Sequence, residues 1–196
     1  MKRLCKNEHS ITITTGVIIM KIFLLRHGTP INGRKYRGNS IDDDLSDLGW
    51  SQMNASVNDK RFDIIYTSPM KRCRKFAKYL SKKIKVSFVV IEDFKEIGFG
   101  DWENKTSFEI GEDNVKTFKD DPLNYPIKNA ENLYDFQSRV LSNYFKILSN
   151  SNTSSNILLV THAGVIRVIK SHILKLPIEN MFTIDVKSGS CEQFEI

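Results

Sequence analysis

The sequence predicts an α/β domain with a mostly parallel central sheet, and three observations carry that prediction. Short, nearly all-apolar runs at Lys21–Arg26 (KIFLLR), Val86–Ile91 and Asn156–Thr161 (NILLVT) have the length and composition of strands buried on both faces. Segments with helical periodicity separate the runs, and alternating strands and helices favour parallel pairing with helices on the faces. Two of the apolar runs end in a histidine closely followed by glycine, His27-Gly28 and His162-Ala163-Gly164. Ligands in such sheets bind beyond the carboxyl ends of the strands, so both motifs fall where a site is expected.

Each element follows in order. Lys21–Arg26 is the first strand. Ser46–Val57 carries Leu48, Met53 and Val57 at roughly helical spacing, and Phe62–Thr67 (FDIIYT) is the next strand. Ser68-Pro69 is a helix-start signature, because Ser can cap and Pro is tolerated at the first helical position; that helix runs to about Lys82. Val86–Ile91 is a third buried strand. Glu92–Pro126 is acidic, aromatic and irregular, and reads as an insertion beside a site. Asn132–Leu148 is a helix with Leu133, Phe136, Val140, Tyr144 and Ile147 on one face. The polar loop 150–156 leads to the strand Asn156–Thr161, and Val165–Leu174 is the helix after it. Phe182–Val186 and Cys191–Glu195 are edge strands.

The 196 residues suit one domain, placed over 20–196. Residues 1–19 read as a disordered extension or a start placed too far upstream: Ile11–Ile19 is too rich in threonine for a signal peptide, and no small-residue cleavage site follows. No apolar run reaches the roughly 18 residues of a membrane span. Three cysteines without CxxC or Cys/His spacing support neither a disulfide framework nor a zinc site, and point to a reducing cytoplasm. The net charge is +6, and Lys71–Lys85 holds eight Lys/Arg and no acid. That stretch reads as a solvated helix face; it lacks interleaved surface aromatics, so no nucleic-acid partner is expected.

The chemistry sits in a small constellation. Gly28 and Gly164 would let the backbone turn and an anion approach. The helix after His162 offers free N–H groups and a positive dipole end to a phosphate. Arg26, and Arg72 at another strand end, add forked donors that match phosphate oxygens. Two Arg and two His on one sheet edge therefore suit a tetrahedral anion. His9 and mid-helix His172 are assigned no role. A metal site is not expected, because two His without carboxylates at ligand spacing do not make one.

Four blocks in order, LLRHG at 24–28, SPMKRC at 68–73, EIGFGDWE at 96–103 and VTHAG at 160–164, resemble the histidine phosphatase superfamily, also called phosphoglycerate mutase-like. The match spans nearly the whole chain from Met20. RHGTPINGRKYRGNSIDDDLSDLGWSQM and the FGDWE block look most like its alpha-ribazole phosphatase branch.

The resemblance implies a three-layer α/β/α sandwich and a phosphomonoesterase without a cofactor. His27 would be the nucleophile, Arg26, Arg72 and His162 would clamp the phosphoryl oxygens, and Glu96 would protonate the leaving group and then activate water. His27 must be neutral to attack, so its other ring nitrogen should bond a backbone carbonyl that fixes the tautomer. Ala163, beside His162, is counted among the substrate contacts. Many members read RHGxTxxN, whereas Pro30 and Gly33 stand at those places here. Thr29, Asn32 and Arg37 are the candidates to supply the missing contact.

The expected partner is a small phosphorylated substrate, with no membrane association and a monomer or homodimer. The resemblance around Arg34–Gly38 and Phe99–Glu103 puts alpha-ribazole 5'-phosphate of cobalamin biosynthesis first, and Phe94, Phe99, Trp102, Phe108, Phe118 and Tyr125 could wall its flat base. The alternatives are a broad sugar phosphate or phosphoglycerate phosphatase, a mutase (disfavoured by the short chain), and a non-catalytic phospho-ligand sensor. Phosphoglycerate, small and multiply anionic, would call for extra Lys/Arg in place of the wall.

Overall fold

A computed structural model describes residues 19–196. The reading of residues 1–19 as an extension, with Cys5 and His9, lies outside the described residues except for Ile19. Five strands form one sheet in the order β3-β2-β4-β1-β5, with β1 at Lys21–Arg26, β2 at Ile64–Thr67, β3 at Ser87–Val90, β4 at Asn156–Thr161 and β5 at Cys191–Glu195. β1, β2, β3 and β4 pair in parallel, and β5 lies antiparallel against β1.

The apolar runs are buried on both faces because their alternate residues feed two separate cores. Ile22, Leu24, Ile157 and Leu159 point into one core, shared with α5 (Leu133–Ser149) and α6 (Ala163–Ile173). Phe23, Leu25, Leu158 and Val160 point into the other, shared with α1 (Asp47–Val57) and α2 (Lys71–Ile84). The result is the expected three-layer α/β/α sandwich with a mostly parallel sheet.

The helices are set by their ends and faces. Ser46 caps α1, its Oγ accepting from Gly49 N at 3.1 Å. Asn132 caps α5, whose buried face is the predicted set Leu133, Phe136, Val140, Tyr144 and Ile147. Four expectations need correction. α2 begins at Lys71 rather than at Ser68-Pro69, and Asp42 Oδ1 accepts from Lys71 N at 2.6 Å in place of the expected serine cap. β3 is not a buried strand: it ends the sheet, and three of its four residues are exposed. Leu48 is exposed on α1. Phe182–Val186 is not a strand; a 3-10 turn covers Ile178–Thr183, and the carbonyls of Ile184 and Val186 accept from Arg167 and Arg26 instead of joining a ladder.

The segment predicted as irregular contains two helices, α3 (Ser107–Ile110) and α4 (Glu112–Asp120). Thr106 and Glu109 form a reciprocal capping box at the start of α3. Val115 and Phe118 are the buried residues of α4, and Phe118 packs its ring on Phe182 and Trp102. The helical signal here is short and polar, which hid it among turn residues.

Candidate active site

Register places the two histidines. β1 and β4 are adjacent parallel strands, and Arg26 pairs with Thr161. The next residues, His27 and His162, therefore leave the sheet side by side, their ring centroids 5.2 Å apart. β2 flanks β4 on the other side, so Ser68, just past its end, reaches His162: Ser68 Oγ lies 2.7 Å from His162 Nε2. Sequence reading gave Ser68 to helix capping and missed this contact.

His27 Nδ1 lies 2.8 Å from the carbonyl oxygen of its neighbour Gly28. That contact fixes the Nδ1–H tautomer and leaves Nε2 as the ring nitrogen carrying a lone pair. Burial first, and then the Arg72 and Arg26 guanidinium groups, hold its pKa well below the ordinary histidine value, so the ring is neutral at neutral pH. His162 is depressed by the same causes, burial before Arg72 and His27. It is 0% exposed, meets the His27 ring edge-on and is not among the residues lining the cavity.

A cavity of about 470 Å³ opens in front of His27, lined there by Arg26, Arg72, Glu96 and Ala163. Arg72 is only 1% exposed; its Nη1 and Nη2 donate to the carbonyls of Ile41 (2.8 Å) and Gly38 (3.1 Å). Arg26 Nη1 donates to Val186 O at 2.6 Å. Both Nε–H groups are buried without a partner among the described residues. A buried and a half-buried guanidinium group, both with unspent donors, stand beside a neutral imidazole and make a preformed site for an oxyanion.

Glu96 faces the same space. Its carboxylate accepts from Gly164 N at 3.0 and 3.2 Å and from Ile97 N at 3.1 Å. The start of α6, expected to cradle a phosphate, thus gives its Gly164 N–H to Glu96. Gly164 is required for that approach, since a Cβ there would sit 2.2 Å from Glu96 Oε1. Gly28 also serves packing: a Cβ would stand 2.2 Å from the Gly49 carbonyl oxygen of α1.

The three replacements for the missing family contact divide. Arg37 lines the cavity but spends its guanidinium on Asp43 Oδ2 (3.0 Å) and on the carbonyls of Ile31 (2.6 Å) and Gly33 (2.8 Å). Thr29 also lines it, with both N and Oγ1 donating to Gln52 Oε1, at 2.9 and 3.0 Å. Asn32 adopts a left-handed φ of 64°, turns to Asp43 and is not on the wall.

Several contributors were missed. Arg139 ties down the Glu96 loop: it donates to the Asp93, Lys95 and Glu96 carbonyls while pairing with Glu131 at 2.6 Å. Glu103 accepts from Phe99 N and Asn39 N, anchoring the loop that holds Arg72. Arg34, Lys119 and Arg167 also line the cavity. Arg167 was legible, because it lies one helical turn past Ala163 on the same face of α6. Of the six insertion aromatics, Phe99 lines the cavity; Tyr36 and Phe182 join it from elsewhere, while Phe94 is in the core. Among the described residues, no cluster of three His, Cys, Asp or Glu could hold a metal, and no helix is long and apolar enough to cross a membrane.

The model of the histidine phosphatase superfamily (branch 1) matches residues 22–196. A protein of Hydrogenobacter thermophilus named "Putative phosphoserine phosphatase 2" is 27% identical over 183 residues, covering 90% of this chain and 89% of that one. The adenosylcobalamin/alpha-ribazole phosphatase of Escherichia coli is 23% identical and covers 90% of each chain. The solved structure of a mycobacterial glucosyl-3-phosphoglycerate phosphatase superposes with a TM-score of 0.78 over 88% of both chains, at 22% identity.

Proposed function

The chain belongs to the histidine phosphatase superfamily, branch 1, and on that premise we propose that His27 carries the phosphoryl group in a two-step hydrolysis of a small phosphomonoester. The observation that carries this reading is the His27 Nδ1 contact with Gly28 O at 2.8 Å, which leaves Nε2 as a neutral nucleophile.

In the first step the Nε2 lone pair forms the N–P bond while the ester P–O bond breaks, and Glu96 delivers a proton to the departing oxygen. In the second, Glu96 takes a proton from water, whose oxygen attacks phosphorus. The N–P bond breaks, and inorganic phosphate and neutral His27 are restored. Arg26 and Arg72 stabilise the charge on the phosphoryl oxygens through both steps. His162, edge-on to His27, braces that ring; contact with the phosphoryl group is its further proposed share. Thr29, Arg37 and Ala163 line the site, and Asn32 has the weakest support.

For the substrate, alpha-ribazole 5'-phosphate is supported by the rings of Tyr36, Phe99 and Phe182 on the cavity wall and by the name of the Escherichia coli relative. A sugar phosphate or phosphoglycerate is supported by the density of cations on the same wall. Acid-labile label on His27 after quenching with labelled substrate is the expected test result, in the presence of EDTA as well as without it. Absence of turnover of para-nitrophenyl phosphate would instead make the protein a phospho-ligand sensor.

A further inference from the structure

We propose that Arg34, Lys119 and Arg167 form a second anion subsite, so that the favoured substrate is a small phosphomonoester carrying another anionic group, a carboxylate or a second phosphate. The proposal rests on the phosphatase reading of the His27 centre and deepens it.

The three cations come from unrelated parts of the chain. Arg34 lies in the loop after β1, Lys119 near the end of α4 and Arg167 on α6, and all three line the cavity in front of His27. None takes part in an ion pair among the described residues, whereas Arg37 and Arg139 nearby each have a carboxylate partner. Arg167 is oriented by its Nε–H, which donates to Ile184 O at 3.0 Å, and by the Phe182 ring 5.8 Å beneath its guanidinium.

Like charges gathered in this way work against one another. Burial, then Arg167, then Arg34 lower the pKa of Lys119; on Arg26 burial comes first, Glu96 opposes it, and Arg167 and Arg34 lower the pKa further. The two acids on the wall, Glu96 and Asp185, offset part of this by raising the pKa of Arg26 and of Arg167, but neither is in an ion pair among the described residues: Glu96 is held by the N–H groups of Gly164 and Ile97, and Asp185 is exposed. An arriving anion would relieve it. Arg26 and Arg72 already provide for one phosphoryl group, so the other cations on the cavity wall are in excess of what a lone phosphate needs. A diffuse cationic field would also favour the more highly charged ester, but weakly, and salt would screen it. A subsite discriminates between two esters that differ in one charge.

The test uses such a pair, 3-phosphoglycerate and glycerol 3-phosphate, which differ by a carboxylate in place of a hydroxymethyl group. Calorimetric binding to the intact His27→Ala protein is expected to favour 3-phosphoglycerate by about 10- to 100-fold, the range of charge-assisted hydrogen bonds. Lys119→Met and Arg167→Met, each added to that background, are expected to bring the ratio down at least about threefold. Lys119 is half-buried on a surface helix, so its variant tests the idea even where Arg167→Met fails to fold. Fructose 1,6-bisphosphate against fructose 6-phosphate separates a second phosphate from a carboxylate as the favoured group. Equal binding within both pairs overturns the subsite, whatever turnover shows. Preferential binding without turnover by the wild type overturns the phosphatase reading and leaves the subsite standing.

Discussion

His27 and His162 leave neighbouring parallel strands at the same level, each with a glycine within two residues, and they end in opposite circumstances. His27 faces the cavity, with Nδ1 against its own chain at Gly28 O and Nε2 in no hydrogen bond with a described residue. His162 is sealed beside it, with Nε2 on Ser68 Oγ and Cys73 Sγ within 3.9 Å of the ring. Burial keeps both rings neutral. What separates them is which ring nitrogen is left over. The strand register brings two imidazoles together, and their next neighbours leave one with a free nitrogen on the cavity and the other enclosed, which is the basis for proposing the first as nucleophile and the second as its support.

The sharpest way to break that contrast is to remove each ring in turn. His27→Ala is expected to abolish turnover, by about 10⁴-fold or more, since it deletes the group that forms the bond. His162→Ala is expected to cost about 100- to 1,000-fold while labelled phosphate still accumulates on His27. Rapid-quench measurements on both variants decide this; label on His162 would reverse the two roles, and equal, complete losses without label on His27 in His162→Ala would make His162 more than a support.

Glu96 joins the two strand ends, because it lines the His27 cavity while hanging from Gly164 beyond β4. Glu96→Gln keeps the acceptor oxygen and removes the exchangeable proton. It is expected to slow alkyl phosphates by about 100- to 10,000-fold and aryl phosphates far less, because an alkoxide needs the proton as it leaves. Equal losses on both esters would point to a different acid. Glu103 would then be a poor substitute, as its carboxylate accepts from Phe99 N and Asn39 N.

Much of this arrangement was legible in the sequence, for definite reasons. KIFLLR and NILLVT had to be buried on both faces, which put Arg26, His27 and His162 at the sheet edge. Helical spacing gave the buried face of α5 residue for residue. What stayed hidden was every contact between residues far apart in sequence that neither pattern nor motif encodes. Ser68 read as a cap because Ser-Pro is a helix-start signature, yet the β2–β4 register sends it to His162. The glycines read as anion-binding turns, yet one makes room for the backbone of α1 and the other for Glu96. Arg139 carries no local signal at all, and Glu103, although inside the EIGFGDWE block, gives no sign there that it anchors the Asn39 backbone. The site is therefore readable where one strand or helix sets it, and opaque where packing between elements does.

Acid stability offers a gentler probe of the same pair. Both histidines have folded pKa values well below the ordinary value of about 6.5, so below that pH the unfolded chain binds protons that the folded chain does not. Stability is thus fully present above about pH 6.5 and falls as the pH drops below it, by up to about 1.4 kcal/mol per pH unit for each histidine. Denaturant midpoints from pH 7 to pH 5 are expected to fall less steeply in His27→Asn and in His162→Asn than in the wild type. An unchanged slope in either variant would mean that its ring takes up protons alike in the folded and the unfolded chain, so that its folded pKa is not lowered.

The smallest expected effect belongs to Ser68, and it asks whether His162 is held in place or merely enclosed. Among the described residues Ser68 Oγ is the one hydroxyl hydrogen-bonded to the His162 ring, at 2.7 Å, and it also accepts from Met70 N at 3.3 Å just before α2. A single neutral hydrogen bond is worth about 0.5–1.5 kcal/mol, so Ser68→Ala is expected to lower kcat by about 2- to 10-fold. The loss of the Met70 contact predicts a further destabilisation of about 1 kcal/mol with no catalytic consequence of its own. A merely structural role for Ser68 would therefore lower the melting temperature and leave kcat and the ring alone. A positioning role would in addition change the His162 tautomer populations seen by nitrogen NMR, and would spare KM, because the substrate-facing groups Arg26 and Arg72 do not touch Ser68. Ser68→Thr, which keeps the hydroxyl, is expected to recover most of kcat. If kcat and the ring nitrogen shifts of Ser68→Ala match the wild type, His162 is fixed by the packing of β4 and α2 alone, and its difference from His27 owes nothing to hydrogen bonding.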